Sequence, residues 1–191
     1  MPEGHPEYQI HLKKCADKSS GTYTGVILAD KIGDVFKIKS IVPIEIDLPY
    51  DGDGKGVLSL DSFIHDSINF FLEHQQVVID ATAKALFESF QNRLEGWAES
   101  AGLSFDALTS AQAVWGFVSF KYLKCRTKIN ADPETIESLL RQLPNLTRDD
   151  IGGDDASTTT YFALVFECQW DEEHIVVVDF VNGECEGAST E

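Results

Sequence analysis

Residues 159–181 read TTYFALVFECQWDEEHIVVVDFV. Two runs dense in β-branched and aromatic residues, Thr159 to Trp170 and His174 to Val181, flank the short acidic connector Asp171-Glu172-Glu173. Such runs mark strands, and so short a connector predicts an antiparallel hairpin. Trp170 and His174 are expected to pack at its base. Asn182-Gly183 is a second turn signal. The tail from Gly187 is expected to fray.

Working outward, the first 50 residues have the same two-residue period. Tyr8 to Leu12, Tyr23 to Leu28, Val35 to Lys39 and Ile41 to Leu48 read as half-buried strands. Ile44, Ile46 and Leu48 share one face of the last strand, and Glu45 and Asp47 the other. Gly21, Asp30 to Gly33 and Pro49 to Gly52 punctuate them as turns.

The middle of the chain changes period. From Asp61 to about Ala101, Phe63, Ile64, Ile68, Phe71, Leu72, Val78, Ile79, Ala83, Leu86, Phe87, Phe90, Leu94 and Trp97 recur at helical spacing. Asp61 or Ser62 is placed to cap and Gly102 to stop this segment. Its length predicts two helices with a break near Glu73-His74-Gln75. The aromatic stripe reads as core packing.

Residues 113–129 return to β character, with Lys121, Lys124, Arg126 and Lys128 interleaved among aromatics. Interleaving of this kind marks some single-strand nucleic-acid binders. In so acidic a chain it reads instead as a cationic face that meets the protein's own carboxylates. Asp132-Pro133-Glu134 predicts a short helix through about Leu143, and Asp149 to Asp155 a loop.

These elements predict an α+β fold: a single domain over residues 1–191, with residues 1–7 and 187–191 flexible. An antiparallel sheet from the N- and C-terminal strands packs on the central helices. The chain is long enough to bury a core without disulfide staples. Its 43% hydrophobic and 25% charged residues are globular in character.

Charge narrows the functional classes. Thirty-two Asp and Glu against 15 Lys and Arg give −17. Long-range repulsion argues against binding nucleic-acid phosphates or an anionic membrane. Basic partners, cations or plain solubility remain. From Asp149 to Glu191 there are 12 acids and no Lys or Arg. Such a field either serves solubility or suits an interface for a basic partner.

The N-terminus is polar and acidic, unlike a secretory signal, and no apolar run reaches the ~18–20 residues of a membrane span. Cys15, Cys125, Cys168 and Cys185 are scattered without CxxC spacing, so no zinc site is signalled. Reduced thiols in a cytoplasmic protein are the expectation, with a Cys168–Cys185 cross-strand disulfide as the minor alternative.

Two constellations merit chemistry. Asp51, Asp53 and Gly56 fit part of a calcium-loop spacing. Lys55 stands where a third ligand belongs and Ser62 where the bidentate Glu belongs, so the segment reads as a Gly-rich strand-to-helix loop. Trp170 to His174 is the densest polar cluster. Carboxylates beside a histidine can do acid–base work or hold a metal with help from elsewhere. Acids at a hairpin tip, however, diverge into solvent. No HExxH, GxSxG or Gly-rich phosphate loop occurs. No cofactor is expected.

The segment Tyr161 to His174, ending in Trp170-Asp171-Glu172-Glu173-His174, resembles the C-terminal signature of a bacterial family of uncharacterised immunity-type proteins. These occur in polymorphic-toxin and contact-dependent competition systems. The helical stretch from Phe71-Leu72-Glu73-His74-Gln75 through Ile79 resembles the family's central region. The resemblance spans roughly residues 60–185 and rests on about a dozen positions. Ile175 stands where the family usually has Gly.

The resemblance implies a small cytosolic α+β protein that neutralises one cognate toxin by stoichiometric binding, without catalysis. A basic toxin would meet the acidic groups Asp149, Asp150, Asp154, Asp155, Asp171, Glu172, Glu173 and Asp179. The rival readings are a metal-assisted or acid–base hydrolase using Glu172, Glu173 and His174, an acidic mimic of nucleic acid, and a housekeeping protein whose acidity means solubility.

Overall fold

Seven strands lie in one sheet in chain order: β1 (Lys13–Lys14), β2 (Gly21–Leu28), β3 (Ile41–Leu48), β4 (Val118–Arg126), β5 (Tyr161–Cys168), β6 (Asp171–Val181) and β7 (Glu184–Thr190). The computed structural model describes residues 13–14, 21–38, 41–48, 62–101, 108–126, 141 and 157–191. The segments 8–12, 51–61, 132–140, 142–143 and 149–155 read from the sequence lie outside the described residues.

The α+β class is as expected, but the sheet is not wholly antiparallel. β3 and β4 run parallel, with Ile44 opposite Leu123 and Ile46 opposite Cys125; every other neighbouring pair is antiparallel. The cause is the crossover. A parallel return needs a long connection, and the chain between β3 and β4 contains α2 (Ser62–Glu73) and α3 (Gln75–Ala101). Two antiparallel meanders are thus joined through one parallel seam.

The helices cover one face of that sheet. Ile64, Ile68 and Phe71 of α2 and Val78, Ile79, Ala83, Leu86 and Phe90 of α3 share a core with Ile44, Ile46, Leu123, Phe162, Leu164, Phe166, Val176, Val178 and Phe180. β5 is central, which explains its near-continuous apolar run. Phe162, Leu164 and Phe166 face the helices, whereas Ala163 and Val165 join Val177 in a small apolar island on the outer face. Ser67 welds the layers. Its Oγ donates to Phe63 O at 2.7 Å and accepts from Tyr161 N at 2.9 Å.

The expected break between helices falls at His74. Hydrogen bonds pass through it, from His74 N to Phe70 O and from Val78 N to His74 O. Just beyond it, the Gln75 amide joins distant segments. Nε2 donates to Leu72 O at 2.9 Å, and Oε1 accepts from Lys31 N and Ile32 N at 2.9 and 3.2 Å. Those two amides begin a helix that local pattern did not predict, α1 (Asp30–Val35), where a turn and then a strand over Val35 to Lys39 were expected. The reason is tertiary. No local side chain caps α1, so Gln75 supplies the acceptor from over 40 residues away. Ile32 and Phe36 are buried, and the Phe36 ring packs 4.7 Å from Phe120 and 5.1 Å from Trp115.

Three further expectations change. The stretch from residue 113 begins as a 3-10 turn, Ala111–Gly116, and becomes a strand only at Val118. The β5–β6 turn is Gln169-Trp170, so the acids that follow start β6. The tail does not fray, because β7 pairs with β6 as far as Thr190 opposite Val176. That pairing follows the predicted Asn182-Gly183 turn, whose φ angles are 51° and 79°. Asn182 Oδ1 also accepts from Thr159 N at 2.7 Å, and the Phe70 ring lies where a Cβ on Gly183 would project.

Gly183→Ala should therefore lower stability by about 1–3 kcal/mol, combining a left-handed backbone with an occupied Cβ position. Gln75→Ala should cost about 1–2 kcal/mol by uncapping α1. Urea midpoints of both variants, compared with an exposed-site control such as Gln76→Ala, measure these losses.

Candidate functional site

At the Gln169-Trp170 end of the β5–β6 hairpin the strand register breaks. Cys168 stands opposite Asp171, yet Glu167 stands opposite Ile175. Glu172, Glu173 and His174 are therefore extra residues, bulged out of β6. The bulge is held from two sides. Trp170 is buried, 5.5 Å from the Phe90 ring in an edge-on contact. Gln169 N donates to Phe117 O at 2.9 Å, tying the turn to the start of β4.

The bulge creates a contact that a regular strand forbids. In extended chain, residues three apart point to opposite faces. Here His174 Nδ1 lies 2.9 Å from Asp171 Oδ1. Asp171 is 4% exposed, whereas His174 is half exposed. In the tautomer that donates Nδ1–H to the buried carboxylate, Nε2 is left as an acceptor facing the groove. The pair lines an open groove of about 500 Å³, with Ser119 of β4, Glu167 of β5, Glu173 of the bulge and Glu191 beyond β7 on its walls.

Two of the wall carboxylates meet lysines of β4. Lys121 Nζ lies 2.6 Å from Glu167 and Lys124 Nζ 3.4 Å from Glu191. Arg126 lies over the Tyr161 ring, 4.0 Å from its centroid, and Tyr161 donates to Asp179 at 2.6 Å. The basic stretch thus meets the protein's own acids and aromatics, as its sequence predicted; Lys128 lies outside the described residues. Burial and the neighbouring Asp179 carboxylate push the Tyr161 phenol up, with Arg126 opposing them in part.

The acidic residues expected to face a partner are placed unequally. Glu173 is exposed on the groove. Asp171 is not a surface charge; it is buried and orients His174. Asp179 is half-buried and engaged by Tyr161. Glu172 belongs to β6, but its side chain lies outside the described residues, as do Asp149, Asp150, Asp154, Asp155 and the weak cation candidates Asp51 and Asp53. Trp170 is buried, but in the β5–β6 turn itself rather than at the base of the hairpin. His174 does not pack at the hairpin base but opens onto the groove. Sequence reasoning missed Glu167 and Glu191, which reach this wall only through strand pairing, and it missed the role of Asp171.

Among the described residues, no group of three or more His, Cys, Asp or Glu is placed to hold a metal ion. No described helix is long and apolar enough to cross a membrane. Cys125, Cys168 and Cys185 are not in disulfides, and Cys168 and Cys185 lie on β5 and β7 with β6 between them. Burial pushes the Cys125 thiol far up. Comparison with protein-family models, with curated proteins and with solved structures finds no match to this chain.

The raised groups predict an alkaline loss of stability. A group whose folded-state value is raised binds its proton more tightly when folded, so its contribution is complete below the unfolded value and is lost as pH rises beyond it. For Cys125 and Tyr161 the window opens above the free-chain values of about 8.5 and 10. Tyr161→Phe should flatten the fall in urea midpoint between pH 7 and pH 10.5. Parallel curves for variant and parent would contradict the assignment.

Proposed function

We propose that this chain is a non-catalytic, immunity-type protein that binds one basic bacterial toxin or effector stoichiometrically. The observation that carries the reading is the groove at the β6 bulge, where carboxylates gather around one oriented imidazole on a chain of charge −17. A negative field of this size speeds encounter with a basic partner and disfavours acidic ones. The groove then suits the partner's side chains. Glu173 is exposed, and His174 Nε2 can accept a hydrogen bond. The carboxylates of Glu167 and Glu191 are exposed, and each is paired with a half-buried lysine. Pairs of that kind contribute little, about 0–1 kcal/mol. An incoming guanidinium can replace a lysine at small cost and bind the carboxylate in two-pronged fashion. The charge pattern supports the resemblance to immunity-type proteins as a proposal of the same kind, with cytoplasmic residence as its corollary.

One observation favours a second reading. Orientation of an imidazole by a buried carboxylate is what a general base needs. An acid–base hydrolase would therefore use Asp171 with His174, rather than the consecutive Glu172 and Glu173. A nucleic-acid mimic is the third reading, and it requires that the partner's DNA compete with this protein.

Co-expression with the product of the adjacent reading frame, followed by size exclusion at low and high salt, tests the proposal. The expected result is a one-to-one, salt-sensitive complex that suppresses the partner's toxicity. Glu172→Lys with Glu173→Lys should slow association about tenfold at low salt and flatten its salt dependence. Unchanged kinetics would remove the bulge from the interface. His174→Ala should weaken the complex by the loss of one hydrogen bond without abolishing toxin suppression; abolition, together with turnover by the parent protein, would favour the hydrolase.

A further inference from the structure

β7 ends the sheet, and its pairing shows which of its backbone groups face outward. Ile175 N donates to Glu191 O at 3.3 Å and Glu191 N donates to Ile175 O at 3.1 Å, so these two residues exchange both hydrogen bonds. In an antiparallel ladder such pairs alternate with pairs that exchange none. Val177–Ser189 is therefore bonded like Ile175–Glu191, whereas Val176–Thr190 and Val178–Ala188 are not. The N–H and C=O of Ala188 and Thr190 point away from β6, toward the open edge. Among the described residues no strand pairs with that edge.

The edge has a charge and a limit. Glu184, Glu186 and Glu191 are exposed along or just beyond it, and no Lys or Arg occurs from Asp149 onward. Near Glu186 the register shifts, and Gly187 takes φ +121°. A bulge of this kind ends regular pairing, which leaves Gly187 to Glu191 as the straight part. That part runs into the groove, because Glu191 is on both. Its inner face is occupied, since Ala188 packs against the core. Among the described residues the edge itself carries no paired strand, and Ser189, Thr190 and Glu191 are exposed.

Acids on an edge strand act selectively. Two copies of this chain meeting edge to edge would oppose like charges, which protects against self-pairing. A basic strand is drawn instead by Glu184 and Glu186 just before the bulge and by Glu191 at its end, where it competes with Lys124, and its backbone satisfies the outward groups of Ala188 and Thr190. We infer that the Gly187–Glu191 edge of β7 is the docking site of an extended basic segment of the partner protein, which adds to the sheet as an eighth strand and leads into the groove at Glu191. The inference rests on the basic-partner reading above and specifies its binding mode.

The test uses the full chain, isotopically labelled, and a probe: an eight-residue peptide alternating lysine and threonine, acetylated and amidated. The same peptide N-methylated on alternate residues, in both phases, and a glutamate–threonine peptide are the controls. The expected result is at least tenfold slower exchange of the Ala188 and Thr190 amides with the lysine peptide, at least tenfold weaker binding by one N-methylated phase, and no binding of the glutamate peptide. Thr190→Pro removes one outward N–H without a β6–β7 bond and should weaken the lysine peptide comparably. The N-methylated peptides read the same hydrogen bonds on the unaltered protein if that variant misfolds. Signals moving only at Glu173 and His174 would overturn edge docking and leave the basic-partner reading standing. Absence of any response to the lysine peptide would overturn edge docking, with the co-expression experiment judging the partner reading separately. Protection of the same amides by self-association, rising with protein concentration, would identify a second copy and overturn the inference.

Discussion

Burial of the inner sheet face beneath two helices is the constraint on which the rest depends. Ile64, Ile68, Phe71, Val78 and Leu86 must cover the inward rows of both meanders at once. A crossover placed between β3 and β4 does this, and it forces the single parallel seam. Without it each half would be a three- or four-stranded meander with one naked apolar face. The hydrophobic contribution is set by area, whereas the register is set by which rows face inward. A slip of one residue in β5 would exchange Phe162, Leu164 and Phe166 for Ala163 and Val165.

Polar groups then join pieces that apolar burial alone would leave loosely ordered. Gln75 satisfies two amides of α1 and a carbonyl of α2. Ser67 connects α2 to the start of β5, and Asn182 connects the β6–β7 turn to Thr159. Each is a side chain meeting backbone groups of a distant segment, and at the part-buried ones, Ile32 N, Leu72 O and Tyr161 N, leaving the bond unmade costs more than an average hydrogen bond contributes. The corners of the fold are consequently defined by single residues.

The candidate site is a product of irregularity in that frame. Three extra residues in β6 bring Asp171 and His174 together and open the groove between the ends of β4, β5 and β6. The open edge of β7 leads to the same groove. A bulge serves here as it commonly does near functional surfaces, re-aiming side chains that a regular strand would separate. The proposed roles in partner binding all draw on this end of the sheet, and the acidic field draws on the whole chain.

Sequence alone determined the elements whose signals are local. The period-2 runs of β2, β3, β5 and β6 and the two central helices were legible in the spacing of their apolar residues. So were the break near His74 and the Asn182-Gly183 turn, because length and turn chemistry act within a few residues. The acidic field was legible from composition, and the internal pairing of Lys121 and Lys124 from charge balance. Tertiary structure decided what depends on pairing across distance. α1 is a helix because Gln75 caps it and its apolar side reaches the core. β3 and β4 are parallel because helices intervene. The tail is a strand because β6 offers it an edge. Asp171 is the partner of His174 because the buried Trp170 and the Gln169–Phe117 hydrogen bond hold the β5–β6 turn from which the bulge starts. None of these has a local signature: backbone propensities differ by less than the free energy of burying a side chain or satisfying an amide, and only the folded chain brings those distant partners together.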